Sequence, residues 1–445
     1  MFSFTNRLKL AVSIFLVYGM VISVAFAAEE PALWKDTTLT GEWNGARSRL
    51  FEKGISLELT HRSDVMENLG GGLQRGGAWL GYTDVRGLAD LDKLYGWPGL
   101  NAFVQFNSAL GGKPNAEDVG SSMGVDNIEV TANTAQFYQA WVQKNWFADS
   151  LSVLFGLYPI DSEFYVTETS GLFLHPSLGM AAEVAQSGIN GPPVYPLGSV
   201  GTRVKYSSPN RTAYLQAALL DGVPGDPGNP YGTQIKLNKA DGTFAIIEIG
   251  YLPLEAGHTF EPVSPGSAAQ MAPEVKLHEK FEAYDKTAFG LWRYTASFDD
   301  LSDVDATGNP VQRASYGWYA LVERSLFAKE ENPNLGLAAF LRFGAANADI
   351  HQSDWSASAG FRYRGLLAGR DDDIAGIAMI VSHASPKYQS VNQSTDRESA
   401  FEATYRIQIK PWLAVQPLLQ YIISPAMNSQ LPNASLLGTR LEVFL

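Results

Sequence analysis

The chain has 445 residues, a formal net charge of −13 at pH 7, 18% charged residues and no cysteine. The acidic balance argues against a nucleic-acid binder, whose surface is normally basic. Because no cysteine is present, neither a disulfide nor a thiol nucleophile is available, and stability has to come from burial or from sheet closure.

The N-terminus has the features of a secretory signal peptide. Arg7 and Lys9 precede an apolar run over residues 10–24, and the small-residue sequence Ala-Phe-Ala at 25–27 fits a peptidase site. We expect residues 1–27 to be removed and the mature chain to lie outside the cytoplasm. The alternative is a retained membrane helix. No later run approaches the ~20 apolar residues that a membrane helix needs, so a mature membrane protein would have to cross with strands.

A short helix is predicted after the signal segment. Thr40 precedes a stretch in which Trp43, Leu50 and Phe51 recur at near-helical spacing, and Gly54 follows as a stop signal. We therefore predict an amphipathic helix over residues 42–53, close to one mouth of the folded domain. The predicted organisation is a periplasmic N-terminal segment over 28–53 and a single domain over 54–445.

From Ile55 onward, apolar and polar residues alternate in short segments bounded by Gly, Pro, Asn or Asp, which is the strand signal. Examples are ISLELTHR (55–62), LSVLFGLY (151–158) and LGTRLEVFL (437–445). About sixteen such segments of roughly ten residues each can be placed. An even number of strands of this length is typical of transmembrane barrels. The predicted fold is an all-β, transmembrane antiparallel β-barrel.

The links between the predicted strands alternate in length, as expected when short turns lie on the periplasmic side and longer loops outside. The short links are Leu94–Pro98, Ala148–Ser150, Ser207–Asn210 and Lys410–Pro411. The long links are Gly111–Thr134, Asp161–Leu197, Asp221–Asp241, Asp299–Gln312 and Ser385–Glu398. The link from Pro253 to Asp285 is an exception, since it is long but falls on the short side.

The stretch FEATYRIQIKPWLAVQPLLQYIISP (401–425) shows the alternation most clearly. Phe401 and Ala403 would face lipid, while Glu402 and Arg406 would face a water-filled interior. Pro417 interrupts the pattern because it has no N–H for the ladder. We expect a bulge or a strand end there, near the periplasmic rim.

Alternation also predicts the interior lining. Arg or Lys facing hydrocarbon would cost roughly 2–4 kcal/mol each, so the polar set should face water or be paired. The predicted lumen residues are Glu58, Arg62, Asp84, Arg86, Trp141, Arg203, Lys205, Arg342, Arg362, Arg364, Glu402 and Arg406. For each of them the plainer interpretation is a member of an ion-pair network in the wall. No cofactor or metal site is predicted, since Asp371–Asp373 does not continue into a calcium-binding loop.

The longest link, over residues 161–197, is predicted to fold inward and narrow the interior, because long packed loops are usually functional. Its candidate constriction residues are Asp161, Glu163, Tyr165, Glu168, Phe173 and His175. Arginine, carboxylate and aromatic side chains in such a lumen suit neutral, hydroxyl-rich solutes such as sugars.

Four blocks of the sequence resemble the carbohydrate-selective OprB-type porins. They are LTGEWNGARSRLFEKGI (39–55), FGLYPIDSEFYVTETSGLFLHPSLG (155–179), AGRDDDIAGI (368–377) and the 401–425 stretch. The resemblance implies a sixteen-stranded barrel in the outer membrane of a Gram-negative bacterium, and facilitated diffusion of sugars such as glucose-like monosaccharides and related polyols. Expected partners are sugars, outer-membrane lipid and the barrel-assembly machinery that reads the final strand, with a homotrimer as a possible assembly.

Two kinds of alternative stay open at this point. Within the porins, the chain could be a general diffusion channel or one for another polar solute. From other classes, a secreted soluble glycan-binding β-protein or an outer-membrane hydrolase could share the strand pattern. His61 and His383 lie within predicted strands, but no serine and acid partners can be assigned, so we predict that the chain is not an enzyme.

Overall fold

The fold is known from a computed structural model that describes residues 33–253, 285–330 and 332–445. Residues 1–27, predicted to be the signal peptide, lie outside the described residues, as does most of the 253–285 link. Within the described parts, the architecture follows the alternation of the sequence.

Sixteen strands close into one antiparallel barrel in which each strand pairs with its sequence neighbours and β1 pairs with β16. The strands are β1 (Ile55–Gly70), β2 (Gly76–Asp90), β3 (Leu100–Gly111), β4 (Thr134–Trp146), β5 (Leu151–Tyr158), β6 (Ser199–Ser207), β7 (Ala213–Asp221), β8 (Thr243–Tyr251), β9 (Lys286–Val304), β10 (Pro310–Lys329), β11 (Asn332–Ala346), β12 (Ser353–Arg364), β13 (Ile374–Ala384), β14 (Arg397–Lys410), β15 (Leu413–Ile423) and β16 (Ala434–Phe444). The predicted all-β barrel of about sixteen strands is confirmed.

The two faces of the wall differ as predicted. On β14 and β15 the outward residues Phe401 and Leu419 are 42% and 57% exposed, whereas Glu402 and Gln420, one position further along each strand, are 3% exposed. The same alternation of exposed apolar and buried polar positions recurs around the barrel. An apolar outside therefore encloses a polar inside.

Apart from the link over 253–285, the connections are short at one end of the barrel, and most of the long ones lie at the other. Residues 147–150, 208–212 and 411–412 make tight links at the first end, and residues 112–133 and 159–198 make long ones at the second. Asp371–Asp373 lie on the short-link side, between β12 and β13. The prediction of a long link over Asp299–Gln312 was wrong, because β9 and β10 continue to Val304 and from Pro310.

β9 and β10 rise well above the rest of the wall. They contain 19 and 20 residues, compared with 8 in β5 and 9 in β8. Beyond Tyr294, β9 pairs with β10 alone, so the two form a free-standing ribbon. Lys387 lies in a short helix between β13 and β14. Its Nζ is 2.6 Å from Asp300 Oδ2 and 2.9 Å from Asp349 Oδ1, and these ion pairs connect the ribbon to the neighbouring links.

Pro417 lies inside β15, and β14 and β15 keep the same register on both sides of it, so the structure has neither the bulge nor the strand end that was expected there. The β14–β15 register runs from Thr404 paired with Leu418 directly to Ile407 paired with Val415. Pro417 has no N–H to donate to β14, and its carbonyl accepts instead from Thr404 Oγ1 at 3.0 Å. The two strands are thus less closely bonded at this point.

Five short helices complete the described structure: α1 (Leu33–Thr37), α2 (Ala46–Glu52), α3 (Leu91–Tyr95), α4 (Ala182–Ala185) and α5 (Pro386–Asn392). Among the described helices, none is long and apolar enough to span a bilayer. The helix predicted over 42–53 begins only at Ala46, because Trp43, Asn44 and Gly45 have φ values of 49°, 55° and 78° and form a turn. α1 was not predicted.

The N-terminal segment is held against the short-link end of β16. The Leu39 amide donates to the Phe444 carbonyl at 2.8 Å. The buried Arg47 donates to Thr38 Oγ1 and to the main-chain oxygen of Leu445, both at 2.6 Å, and its guanidinium lies 4.1 Å from the Trp43 ring centroid. One arginine therefore joins the segment to the last strand.

Replacing Arg47 should release this segment without opening the barrel. We expect Arg47→Ala to weaken its docking by about 2 kcal/mol, because buried hydrogen bonds to a charged donor are lost. Limited proteolysis by a protease that does not cleave at arginine should remove the segment faster in Arg47→Ala than in the matched variant Arg49→Ala. Equal cleavage rates in the two variants would contradict the assigned role.

Candidate functional site: a loop folded into the barrel

The link between β5 and β6, residues 159–198, folds into the interior and is called the crossing loop below. It has no regular structure except for single turns and the four-residue α4, yet most of its side chains are buried. Interior side chains of β6 to β12, β14 and β15 contact it. The loop therefore crosses the lumen, and the prediction that it folds inward agrees with its position.

Carboxylates of the wall bind the main chain of the loop. Three glutamates on different strands each accept from one or two loop amides. Glu248 accepts from Tyr165 at 2.9 Å, Glu323 from Glu168 at 3.0 Å and from Thr169, and Glu402 from Leu174 and His175 at 2.9 and 2.8 Å. An irregular segment has no internal partners for its N–H groups, so these carboxylates replace secondary structure.

Arg342 does the same for the loop carbonyls. This arginine on β11 is 1% exposed, and it donates to Leu178 at 2.6 Å, Gly179 at 2.8 Å and Ser177 at 3.2 Å. Its fork of N–H groups is suited to several acceptors at once. Gln416 adds a bond of 2.8 Å to the Leu172 carbonyl. The wall thus supplies both acceptors and donors to the loop backbone.

The crossing loop packs so closely on the wall at Gly344 that no side chain would fit there. A Cβ placed on Gly344 would meet Glu183 Oε1 at 1.9 Å. Glu183 in turn accepts from the Tyr165 hydroxyl at 2.9 Å, and the Tyr165 ring stacks on Tyr319 with centroids 4.1 Å apart. The loop is therefore packed directly on the wall.

The base of the loop is closed by two of its acidic residues, Asp161 and Glu163. Asp161 accepts from the Tyr195 amide at 2.9 Å and from the Tyr138 hydroxyl at 3.1 Å, which joins the beginning of the loop to its end. Glu163 accepts from Arg203 Nε at 2.8 Å, with Lys205 Nζ at 3.7 Å. Both residues were predicted from the sequence, and both contact wall or loop residues.

A second cluster of predicted lumen residues lies on the opposite wall, across β14, β16, β1 and β2. Glu442 lies between Arg62 at 2.7 Å and Arg406 at 2.8 Å, and Asp84 lies 2.6 Å from Arg86. Thr60, which is next to Glu58 on the inner face, pairs with Asp84 across the strands. These charges are therefore arranged as alternating cations and anions.

Other predicted residues are spread more widely. Trp141 is buried and stacks on Phe103 at 4.9 Å, Arg362 donates to the Glu168 carbonyl at 3.3 Å, and Arg364 pairs with Asp372 at 2.9 Å in a short link. Phe173 and His175 are buried in the loop. The structure thus brings the predicted set into two clusters and a few isolated contacts.

Sequence reasoning missed a second inward loop and two of the anchoring glutamates. Residues 112–133 also enter the barrel, where Asp126 Oδ1 lies 3.6 Å from Arg440 and the Val125 carbonyl accepts from Gln420 at 2.9 Å. Glu248 was missed because its inner-face neighbours Phe244 and Ile246 are apolar, so alternation gives no distinct polar face there. No group of His, Asp and Glu that could hold a metal ion occurs among the described residues.

Burial perturbs the titratable groups of the crossing loop. It lowers the pKa of His175 to about 3, since neither ring nitrogen has a hydrogen-bond partner among the described residues. It raises the pKa values of Asp161 and Glu183 from their usual range. At neutral pH the His175 ring is therefore neutral, as its apolar surroundings require.

A closed barrel with an apolar outer face, a polar interior and an inward loop defines the class of porins, which are membrane channels. The sequence profile of the family described as "Carbohydrate-selective porin, OprB family" matches residues 74–444, and the chain belongs to that family. It is an outer-membrane carbohydrate porin of a Gram-negative bacterium. The family and the fold are those of channels and not of enzymes.

Individual relatives agree with this assignment. Porin B of Pseudomonas aeruginosa is 23% identical over 446 residues, which cover 91% of this chain and 90% of the relative. The high-pH and low-pH structures of Pseudomonas putida OprB each cover 92% of this chain and 99% of their own, with TM-scores of 0.76 and 0.56 at 19% and 17% identity. These structures share the fold.

Removing Arg342 should loosen the crossing loop. Arg342→Ala leaves several buried loop carbonyls without a donor, and each costs about 1–3 kcal/mol, so we expect a destabilisation on the order of 3 kcal/mol. Single-channel recording should show larger or noisier openings than in the wild type. Arg397→Ala, which removes an exposed arginine at the rim, is the matched control and should leave the openings unchanged. Wild-type openings in Arg342→Ala would exclude this arginine as an anchor.

Acidification should loosen the loop through His175. The pKa of His175 is lower in the docked loop than in a released loop. Docking is therefore fully favoured above about pH 6.5, and this stabilisation is lost as the pH falls. Between pH 7 and 5 the loss amounts to about 2 kcal/mol. The raised carboxyl pKa values act in the opposite sense, so the measurement is the difference between wild type and His175→Phe.

Loop proteolysis in the wild type should rise more steeply on acidification than in His175→Phe. His383→Phe, which changes a histidine on the outer wall, should follow the wild type. A pH profile in His175→Phe that matches the wild type would show that this histidine does not govern docking.

Proposed function

We propose that this porin passes glucose-like monosaccharides and related polyols along the interior surface left free by the crossing loop. The observation that supports this path is the graded exposure of the predicted lumen residues. The side chains of Arg62 and Arg86 keep 20% and 19% of their surface exposed, whereas those of Arg203 and Arg406 keep 0% and 4%. Residues that stay accessible can meet a solute, whereas Arg203 is occupied with Glu163 of the crossing loop and Arg406 with Glu442 of the wall.

The charge arrangement along this path favours neutral solutes. Arg62 and Arg406 share Glu442, and Arg86 lies against Asp84, so each of the three arginines has a carboxylate at short range. A lining in which cations and anions lie side by side has a weaker net field than a lining of one sign. Its exposed N–H groups and carboxylate oxygens still form hydrogen bonds, which is what sugar hydroxyls need.

The predicted constriction residues divide in the same way. Glu163, Tyr165, Phe173 and His175 are buried, and we assign them to holding the loop. Asp161 and Glu168 are half-buried. Glu168, whose carbonyl accepts from the half-buried Arg362 on β12, is the loop residue that we propose to face the solute. The lumen roles of Glu58, Lys205 and Arg364 are part of the same proposal.

The remaining proposals concern processing and assembly. We propose removal of residues 1–27, a periplasmic segment over 28–53 and a barrel domain over 54–445. The outward Leu437 and Leu441 of β16, 44% and 38% exposed, support recognition of this strand by the barrel-assembly machinery. A homotrimer is supported by an outward aromatic ladder in which Trp318, Phe343 and Trp355 have centroids 5.6 and 5.8 Å apart. Cross-linking in membrane fragments would test the trimer.

The function is tested by single-channel conductance in a planar bilayer, titrated with glucose, a disaccharide, an amino acid and chloride. We expect current block that saturates with the monosaccharide and is weak or absent with the amino acid. Arg62→Gln and Arg86→Gln should each raise the concentration for half block roughly tenfold, equivalent to about 1.4 kcal/mol of lost hydrogen bonding.

Arg397→Gln, at the exposed rim, is the control and should block as the wild type does. If the channels open but no sugar blocks the current, the protein is a general diffusion porin and not a sugar-selective one. If sugar blocks both lumen variants as it blocks the wild type, the channel still binds sugar, but the sugar does not contact Arg62 or Arg86.

A further inference from the structure

The outer wall carries an apolar groove on the lipid-facing side of β11 to β16, with a volume of about 700 Å³. That volume lies within the range of small-molecule binding sites. Its floor is made by the small or flat outward residues Ala375, Ala403 and Pro417, and bulkier side chains such as Phe361 and Leu437 stand around it. The groove is therefore a depression in a surface that is otherwise covered by large apolar side chains.

The groove has an identifiable cause in the sequence. Pro417 breaks the β14–β15 ladder, since neither Tyr405 nor Arg406 is paired with β15 in the register. Ala403 is paired with Ile377 and Leu419, and Ala375 with Tyr363 and Tyr405, so the two alanines fill little of the space between these larger side chains. The proline that disturbs the alternation of the 401–425 stretch thus shapes this outer surface.

Basic groups lie at the end of the groove near the short links. Lys329 Nζ lies 5.7 Å from the ring centroid of Tyr363, which lines the groove. Tyr405, also in the lining, donates its hydroxyl to Asp373 at 2.9 Å, and Asp373 also binds Arg370, whose side chain is 42% exposed. The cations at this end are therefore Lys329, whose Nζ also donates to the Gly365 carbonyl at 2.6 Å, and Arg370, which both oxygens of Asp373 bind.

We propose that this groove binds one acyl chain of an anionic phospholipid, with the lipid phosphate against Lys329 and Arg370. The short links of an outer-membrane barrel face the periplasm, so the basic end lies at the periplasmic headgroup layer. Hydrocarbon fills an apolar depression, and basic residues near the membrane surface attract an anionic headgroup. The inference rests on the membrane location of the family and is independent of the sugar path.

The test is native mass spectrometry of the full-length mature protein, extracted from vesicles of phosphatidylglycerol and phosphatidylethanolamine. The wild type should retain a single phospholipid, enriched in phosphatidylglycerol over the vesicle composition. Ala403→Leu, which fills the floor, should reduce retention severalfold. Arg370→Gln combined with Lys329→Gln should keep a lipid but lose the preference for phosphatidylglycerol.

Ala217→Leu is the matched control, since it adds the same volume at an outward position of β7, away from the groove. It should retain lipid as the wild type does. Equal retention in Ala403→Leu and the wild type would overturn the proposal. A second copy is the competing occupant, and the absence of native cysteine allows it to be tested with Ala403→Cys. Intermolecular cross-links at this position in membranes would assign the groove to that copy instead of to lipid.

Discussion

Main-chain hydrogen bonding inside the barrel is the constraint on which the rest of this structure depends. A segment of irregular chain that enters a closed barrel leaves bulk water and cannot join the sheet, whose strands are already paired on both sides. Each unpaired N–H or C=O would cost about 1–3 kcal/mol. The wall solves this with side chains: Glu248, Glu323 and Glu402 accept from loop amides, and Arg342 donates to loop carbonyls. Hydrogen bonds to both its N–H and its C=O groups thus hold the loop, as ladder hydrogen bonds hold a strand.

This arrangement gives the polar interior two tasks. A charged residue in the lumen of a porin is easily taken for a solute contact, yet Arg203 and Arg342 are fully occupied with Glu163 and with loop carbonyls. The accessible arginines lie on the opposite wall, where Arg62 and Arg86 are compensated by carboxylates. Mutations of buried and accessible arginines should consequently differ in kind: one group changes the shape of the channel, and the other changes the affinity for the solute.

The faces of the sheet could be predicted from the sequence because alternation has a physical origin that acts at each residue. Phe401 and Glu402 are adjacent in sequence, and the first faces lipid while the second faces the interior. The alternation of apolar and polar residues therefore predicts which side of the wall each residue faces. The inward position of the crossing loop was also predictable from its length and apolar content. The anchors were not, because Glu323 and Glu248 are specified by loop atoms more than eighty residues away in sequence.

Local predictions failed where tertiary context overrides the pattern. The helix after the signal segment starts late because three consecutive residues, Trp43 to Gly45, adopt positive φ. Pro417 stays inside a strand because the barrel pairs β15 on its other side, where Pro417 still faces Thr439. The sequence around Asp299 reads as a turn, yet it continues as strand since β9 and β10 support each other above the rim.

That ribbon has a consequence for the cell surface. A two-stranded sheet is marginal by itself in water. Here it is held by hydrogen bonds to Asn347 and Asp349 and by the ion pairs of Lys387 with Asp300, Asp303 and Asp349. Charges that lie at the aqueous rim are screened over about 10 Å at 0.1 M ionic strength, unlike hydrogen bonds within the barrel. The outermost part of the molecule is accordingly its most salt-responsive part. A change in ionic strength outside the cell should therefore act on the ion pairs of the ribbon before it acts on the buried contacts of the loop below.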